Sequence, residues 1–289
     1  MAEKKDELSK AFNNLGRGKM EPETYKMTKS KPGRAYIFNH YDFEKSRNKF
    51  NTKSFVWIQF EHLDFNEQIN KHFPFISVNV KEREGTEIDV ENLKTMFNRM
   101  GIEIEIMNDL TLRKLLEKLE AISKEDFSDY NCCFVVFLSH GKEDSILTYD
   151  LPLHYDSIFP NFSSSKCPGL EGKPKIFIVQ ACKGSDTATP PDKTPQGDFE
   201  ESDLAYVVQA EFEDGVSPVA PIGADCISCF ASATDNSDWE LDFASLMTIV
   251  AERVADMGSC TGEKRQMPCT VSTLRKRFYL PKINDDAMM

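Results

Sequence analysis

The sequence has few of the features that would place it on a membrane or a nucleic acid. Its longest apolar runs fall well short of a bilayer span, and its start, Met-Ala-Glu-Lys-Lys-Asp, has no signal-peptide hydrophobic region. The formal charge is −12 and no basic stripe is present, which argues against a general nucleic-acid binder. There is no phosphate-binding glycine loop and no internal repeat at solenoid or propeller periods. Cys226-x-x-Cys229 comes nearest to a metal pair, but on a strand those side chains face opposite ways, and no second pair stands nearby. We assign it to core packing, with Cys132, Cys133 and Cys269. No metal, cofactor, nucleic acid or membrane is therefore expected. The expected location is cytoplasmic, where the eight cysteines stay mostly reduced and form no disulfide framework.

What is present suits an ordinary soluble globular protein. The 289 residues are 40% hydrophobic and 28% charged, enough for one large domain or two small ones with a sizeable core. Much of the acidity is local. Between Ser185 and Gly215 lie Asp186, Asp192, Asp198, Glu200, Glu201, Asp203, Glu211, Glu213 and Asp214 against Lys193 alone, the composition of a solvated linker. Pro190, Pro191 and Pro195 add breakers, so residues 185–221 read as an inter-subunit linker.

Residues 1–32 are polar, lysine-rich and without helical periodicity, and read as a largely disordered arm. The fold begins at Pro32-Gly33-Arg34, followed by a short strand over residues 35–39. Residues 44–84 form an unusual insert holding two strand-like runs, 54–60 and 75–80; a hairpin-like excursion and an extension of the sheet fit it equally. Thr86-Glu-Ile-Asp89 has the form of a capping box, followed by Ile88, Leu93, Met96, Phe97 and Met100 at helical spacing and by Gly101. Residues 102–106 alternate as a strand. Leu112, Leu115, Leu116, Leu119 and Ile122 form a second helical stripe. The runs 132–138 and 175–179 are continuously apolar, as strands buried on both faces are. A strand at 225–231, a helix at about 241–257 and a last strand at 267–274 complete the chain.

Strands alternating with helices predict an α/β fold, a mostly parallel sheet with helices on its faces. Ligands bind such sheets at the carboxyl ends of the strands. Ser139-His140-Gly141 and Gln180-Ala181-Cys182-Lys183-Gly184 both stand at such ends. A thiol becomes a nucleophile when a base or a field favours its thiolate, and His140 is the candidate base for Cys182. The competing readings are an inert buried cysteine and a loop histidine with no chemical role.

These two segments, with Lys173-Pro174-Lys175 ahead of the second, resemble the caspases. Gly33-Arg34 before the first strand, Gly85-Thr86-Glu-Ile-Asp-Val-Glu-Asn-Leu93 and Gln266-Met-Pro-Cys269 extend the resemblance through most of the chain. It implies a caspase-like three-layer sandwich, with 33–184 a large-subunit-like region and 222–289 a small-subunit-like one. It also implies that Cys182 attacks the carbonyl following an aspartate, with His140 as proton shuttle. The backbone N–H groups of Gly141 and Cys182 would form the oxyanion hole, and Arg34 and Gln180 would line the aspartate pocket. Activating cuts in the linker would fall after an aspartate, Asp186, Asp198 and Asp214 among the candidates. Asp214-Gly215 is favoured because a small residue follows, although the linker could equally stay uncut.

The sequence departs from the family after residue 231. The loop with its Ser-Trp-Arg motif and the helix behind it are missing, and Ser232-Ala-Thr-Asp-Asn-Ser-Asp-Trp239 runs almost directly into the next helix. The lost arginine is the second arm of the aspartate pocket, and Asp235 and Asp238 would repel an acidic side chain. Three readings follow: a homologue that acts by pairing with an active caspase, as a homo- or heterodimer; a weak or altered endopeptidase acting on protein substrates; and a splice form or gene model lacking a segment. The first is favoured.

Overall fold

The computed structural model describes residues 22–44, 82–142, 145–181, 204–212, 240–259 and 265–282. Its centre is a six-stranded sheet of β1 (Arg34–Asn39), β2 (Glu103–Asn108), β3 (Cys133–Leu138), β7 (Lys175–Gln180), β8 (Leu204–Phe212) and β9 (Arg265–Ser272) in the order β2-β1-β3-β7-β8-β9. All neighbours run parallel except β9, which is antiparallel to β8. A small antiparallel meander, β4 (Gly141–Lys142), β5 (Ser145–Leu147) and β6 (Pro152–His154), leaves the end of β3.

Side-chain alternation divides the core between the two faces of the sheet. Ala35, Ile37, Phe134, Val136 and Ile178 meet α1 (Thr86–Arg99) and α3 (Phe243–Ser259), whose Leu93, Phe97, Leu246 and Val250 are buried there. Tyr36, Phe38, Val135, Phe137 and Phe177 meet α2 (Leu112–Ser123) and the short helical turns at 155–162. Strands buried on both faces read as continuous apolar runs, and β3 is wholly buried. Phe134 shows the scale: it is fully buried, with the rings of Phe97 and Phe278 at 5.1 and 6.4 Å, and such burial stabilises by about 1.5–3 kcal/mol. This is the expected three-layer α/β sandwich with a mostly parallel sheet. Among the described residues no helix is long and apolar enough to cross a membrane.

Several local expectations need correction. Gly85, not Thr86, is the N-cap of α1, with φ 89 and no side-chain cap. A left-handed N-cap suits glycine, and it leaves the Thr86 hydroxyl free to donate to Asn39 Oδ1 at the end of β1. Ile88, counted in the helical stripe, is 60% exposed. Gly101 does take the left-handed conformation after α1, at φ 66. The arm 1–32 is ordered in its last third. Tyr25 is buried and its N–H donates to Arg277 O, while Asn131 takes a hydrogen bond from Lys29 N and gives one to Lys31 O. Residues 1–21 lie outside the described residues.

The segment 185–221 is not linker throughout, since Leu204–Phe212 is a sheet strand between β7 and β9. Its acids cluster on either side of Leu-Ala-Tyr-Val-Val-Gln-Ala, which is apolar enough to pair. The strand expected at 225–231 and nearly all of the insert 44–84 lie outside the described residues.

Candidate active site

β3 and β7 are neighbours in parallel register, with Leu138 opposite Gln180. Ser139 N–H donates to Gln180 O at 3.0 Å, so the alignment continues past the strand ends. His140 stands two residues beyond Leu138, and in sequence Cys182 stands two beyond Gln180. Cys182 itself lies outside the described residues, as do the linker aspartates Asp186, Asp198 and Asp214. The corner that carries His140 is tied to the meander. Leu147 N–H donates to His140 O at 2.8 Å, and the Ser139 hydroxyl donates to Leu147 O at 2.6 Å. Gly141 opens β4 opposite Ile146. The His140 ring is half-buried against Phe43, with centroids 5.2 Å apart.

Gln180 ends β7 on the α1 side of the sheet, and among the described residues its buried Oε1 has no hydrogen-bond partner. Buried polar atoms are nearly always paired, and this one stands at the carboxyl end of β7.

Arg34 is not at this site. It opens β1 opposite Cys133, the first residue of β3, so it lies at the amino edge while His140 lies at the carboxyl edge. A six-residue strand separates those edges by roughly 17–20 Å. Its guanidinium instead bridges Glu103 and Glu105 at 3.3 and 3.2 Å and lies over the Tyr36 ring. The sequence already contained the reason, because a residue that opens a strand cannot reach the end where parallel sheets bind.

The arginine that the described residues bring to the carboxyl edge is Arg83. Its N–H donates to Tyr41 O at 3.0 Å, just past β1, and its two terminal guanidinium nitrogens donate to Thr86 Oγ1 and Asp89. Both side chains of the ion pair are largely buried, with Arg83 13% and Asp89 4% exposed. Thr86 passes the contact to Asn39, whose amide donates to Asn108 Oδ1 at 3.0 Å. One polar chain thus joins the start of α1 to the ends of β1 and β2. A signal existed for Arg83: in a strand-then-helix unit the helix begins where the preceding strand ends, so a cation just before α1 belongs to the binding edge.

Beside this site, on the α2 face, His40 is fully buried, and among the described residues neither ring nitrogen has a partner. Burial pulls its pKa down from 6.5 to about 4; Asp109 and Asp150 oppose the shift and Arg83 assists it. The folded state therefore holds the ring neutral. Stability is fully present above the unfolded value of 6.5 and falls as pH drops toward about 4. Between about pH 7.5 and pH 5 this group removes about 2 kcal/mol. In urea melts at those two pH values, His40→Leu is expected to lose about 2 kcal/mol less than the parent chain. Equal losses would contradict this account of His40.

The cysteines assigned to packing agree where side chains are described. Cys132 and Cys133 are fully buried on opposite faces, and burial pushes both thiols far up. Among the described residues no group of three His, Cys, Asp or Glu side chains could hold a metal ion.

Comparison with known proteins agrees with this fold. Residues 69–241 match the family described as the caspase domain. Caspase-6 of Gallus gallus is 31% identical over 88% of this chain and 82% of its own length. Caspase-3 of Xenopus laevis is 31% identical over 74% of this chain and 78% of its own. The crystal structure of caspase-1 from Spodoptera frugiperda superposes with a TM-score of 0.64 at 21% identity, covering 93% of this chain and 96% of that one; at that identity it speaks for the fold alone.

Proposed function

The chain belongs to the caspase family, and we propose that it keeps the Cys–His pair, has lost much of its aspartate pocket, and regulates proteolytic signalling by pairing with an active caspase. The observation that carries this reading is Arg83. With no Ser-Trp-Arg arm in the sequence, it is the arginine that the described residues bring to the carboxyl edge, and its two terminal nitrogens already donate to Thr86 and Asp89. Gln180, whose oxygen has no partner among the described residues, is the pocket's other wall.

In this reading the chemistry needs only the chain's own residues. His140 takes the Cys182 thiol proton, and the thiolate attacks the carbonyl carbon after an aspartate. The N–H groups of Gly141 and Cys182 hold the oxyanion, each such donor worth about 2.7–4 kcal/mol in the transition state. His140 then protonates the leaving amine, and water, deprotonated by His140, releases the acyl group from the sulfur. The impaired step is holding the aspartate in place.

Pairing is supported by β9, which ends the sheet and is hydrogen-bonded to β8 alone among the described strands. An edge strand is a template for another chain unless blocked, and two antiparallel copies of it form a self-complementary contact. Pro268 in β9 has no N–H, as an edge strand tolerates. The resemblance to the family supports a subunit contact at this strand. A cut after Asp198 would leave β8 with the small-subunit-like part, and a cut after Asp214 would leave it with the large. In both cases sheet pairing joins the two parts. We place the protein in the cytoplasm, in apoptotic or related signalling.

The test is titration of the purified chain into an active caspase while reporter hydrolysis is followed. The expected result is a change in rate that saturates as the two reach equal concentration. A rate indifferent to the added chain would sink the pairing reading.

A further inference from the structure

A histidine that shuttles protons must be held in one orientation, and the surroundings of His140 show how that is done. Phe43 is 6% exposed, and its ring lies 5.2 Å from the imidazole at 42°. The segment carrying Phe43 has no regular structure, yet it is clamped along its length. Asp109 Oδ1 accepts from Tyr41 N–H at 2.7 Å and from Asp42 N–H at 2.9 Å. Asp42 Oδ1 accepts from Phe43 N–H at 2.9 Å, and Glu44 N–H donates to Tyr149 O at 2.7 Å.

Asp109 reaches this position at a conformational cost. With φ 50 it is the one described non-glycine residue in the left-handed region. Its own N–H donates to Asn39 O at 2.9 Å, which fixes it against the end of β1. Strained backbone persists where its surroundings over-determine it, and it clusters at functional sites. Here the strain aims a carboxylate at two consecutive amides of the turn that seats Phe43.

We propose that Phe43 and Asp109 are positioning residues for His140: Phe43 holds the imidazole and favours its cationic form, and Asp109 holds Phe43. The proposal rests on the reading of Cys182 and His140 as a reacting pair. An aromatic ring within about 6 Å of a cation attracts it, and an imidazolium in turn favours the neighbouring thiolate. The charged groups around this corner are Asp42 and Glu44 on the Phe43 segment, Asp109 after β2, Asp150 ahead of β6 and Arg83 ahead of α1.

The experiment is alkylation of Cys182 by iodoacetamide in the full chain, read by peptide mass spectrometry between about pH 5 and 9. It needs no substrate, so the aspartate pocket does not enter. The parent chain is expected to alkylate with an inflection well below that of an ordinary thiol, at about 8.5. Phe43→Leu keeps most of the packing volume but loses the ring. It is expected to slow alkylation about 5- to 30-fold near pH 6 and to raise the inflection. Phe43→Tyr keeps the ring and should keep the parent profile. Asp109→Gly suits the left-handed backbone, removes the clamp and should follow Phe43→Leu. Parent-like inflections in both Phe43→Leu and Asp109→Gly, with a low inflection in the parent, would overturn the positioning role alone. An ordinary thiol inflection in the parent chain would overturn the reacting pair, and the positioning role with it.

Discussion

Assayed alone on peptides with aspartate before the scissile bond, the chain is expected to show kcat/KM about 100- to 10,000-fold below an active caspase measured alongside. Charge-assisted hydrogen bonds contribute roughly 1.5–3 kcal/mol each, and the missing arginine of the Ser-Trp-Arg motif accounts for two or more of them. Arg83 is already paired with the carboxylate of Asp89, which offsets its charge. Steady-state hydrolysis of a fluorogenic aspartyl peptide reads the effect directly. A value within about tenfold of the active relative would contradict the impaired pocket.

The second large effect is expected at the ion pair itself. Asp89→Ala strands a largely buried guanidinium and is expected to destabilise the fold by about 3–5 kcal/mol in urea unfolding. The double variant Asp89→Leu with Arg83→Met replaces the pair by apolar groups and should recover most of that loss. The two outcomes distinguish a broken pair from a removed one. A loss below about 1 kcal/mol in Asp89→Ala would mean that the pair behaves as an exposed one. The stranded variant should also loosen the edge where α1, β1 and β2 meet, because Thr86 and Asn39 belong to the same chain of contacts.

The parts of this architecture that follow from hydrophobic patterning were legible in the sequence. The apolar runs of β3 and β7, and the stripes Leu93-Met96-Phe97 and Leu115-Leu119-Ile122, give a sheet with helices on both faces. The pattern put His140 just past the carboxyl end of a parallel strand, and the structure places it there. Parallel-sheet logic also favours Arg83 over Arg34, because Arg34 opens a strand and Arg83 stands just before a helix. The ordered residues 22–32 were not legible, because Asn131 grips their backbone and leaves no periodicity to read. β8 was hidden by averaging, since acids on both sides outweigh a short apolar run. The Phe43–Asp109 clamp depends on a left-handed backbone and on contacts between residues far apart in sequence, neither of which sequence pattern encodes.

The central claim is that this chain acts through pairing and not through its own turnover. The most direct measurement adds the Cys182→Ala variant and the parent chain, in parallel, to one active caspase and follows hydrolysis of an aspartyl reporter. The account predicts the same saturating change from both. A change produced by the parent chain and abolished by Cys182→Ala would contradict it and show that the chain acts by its own chemistry.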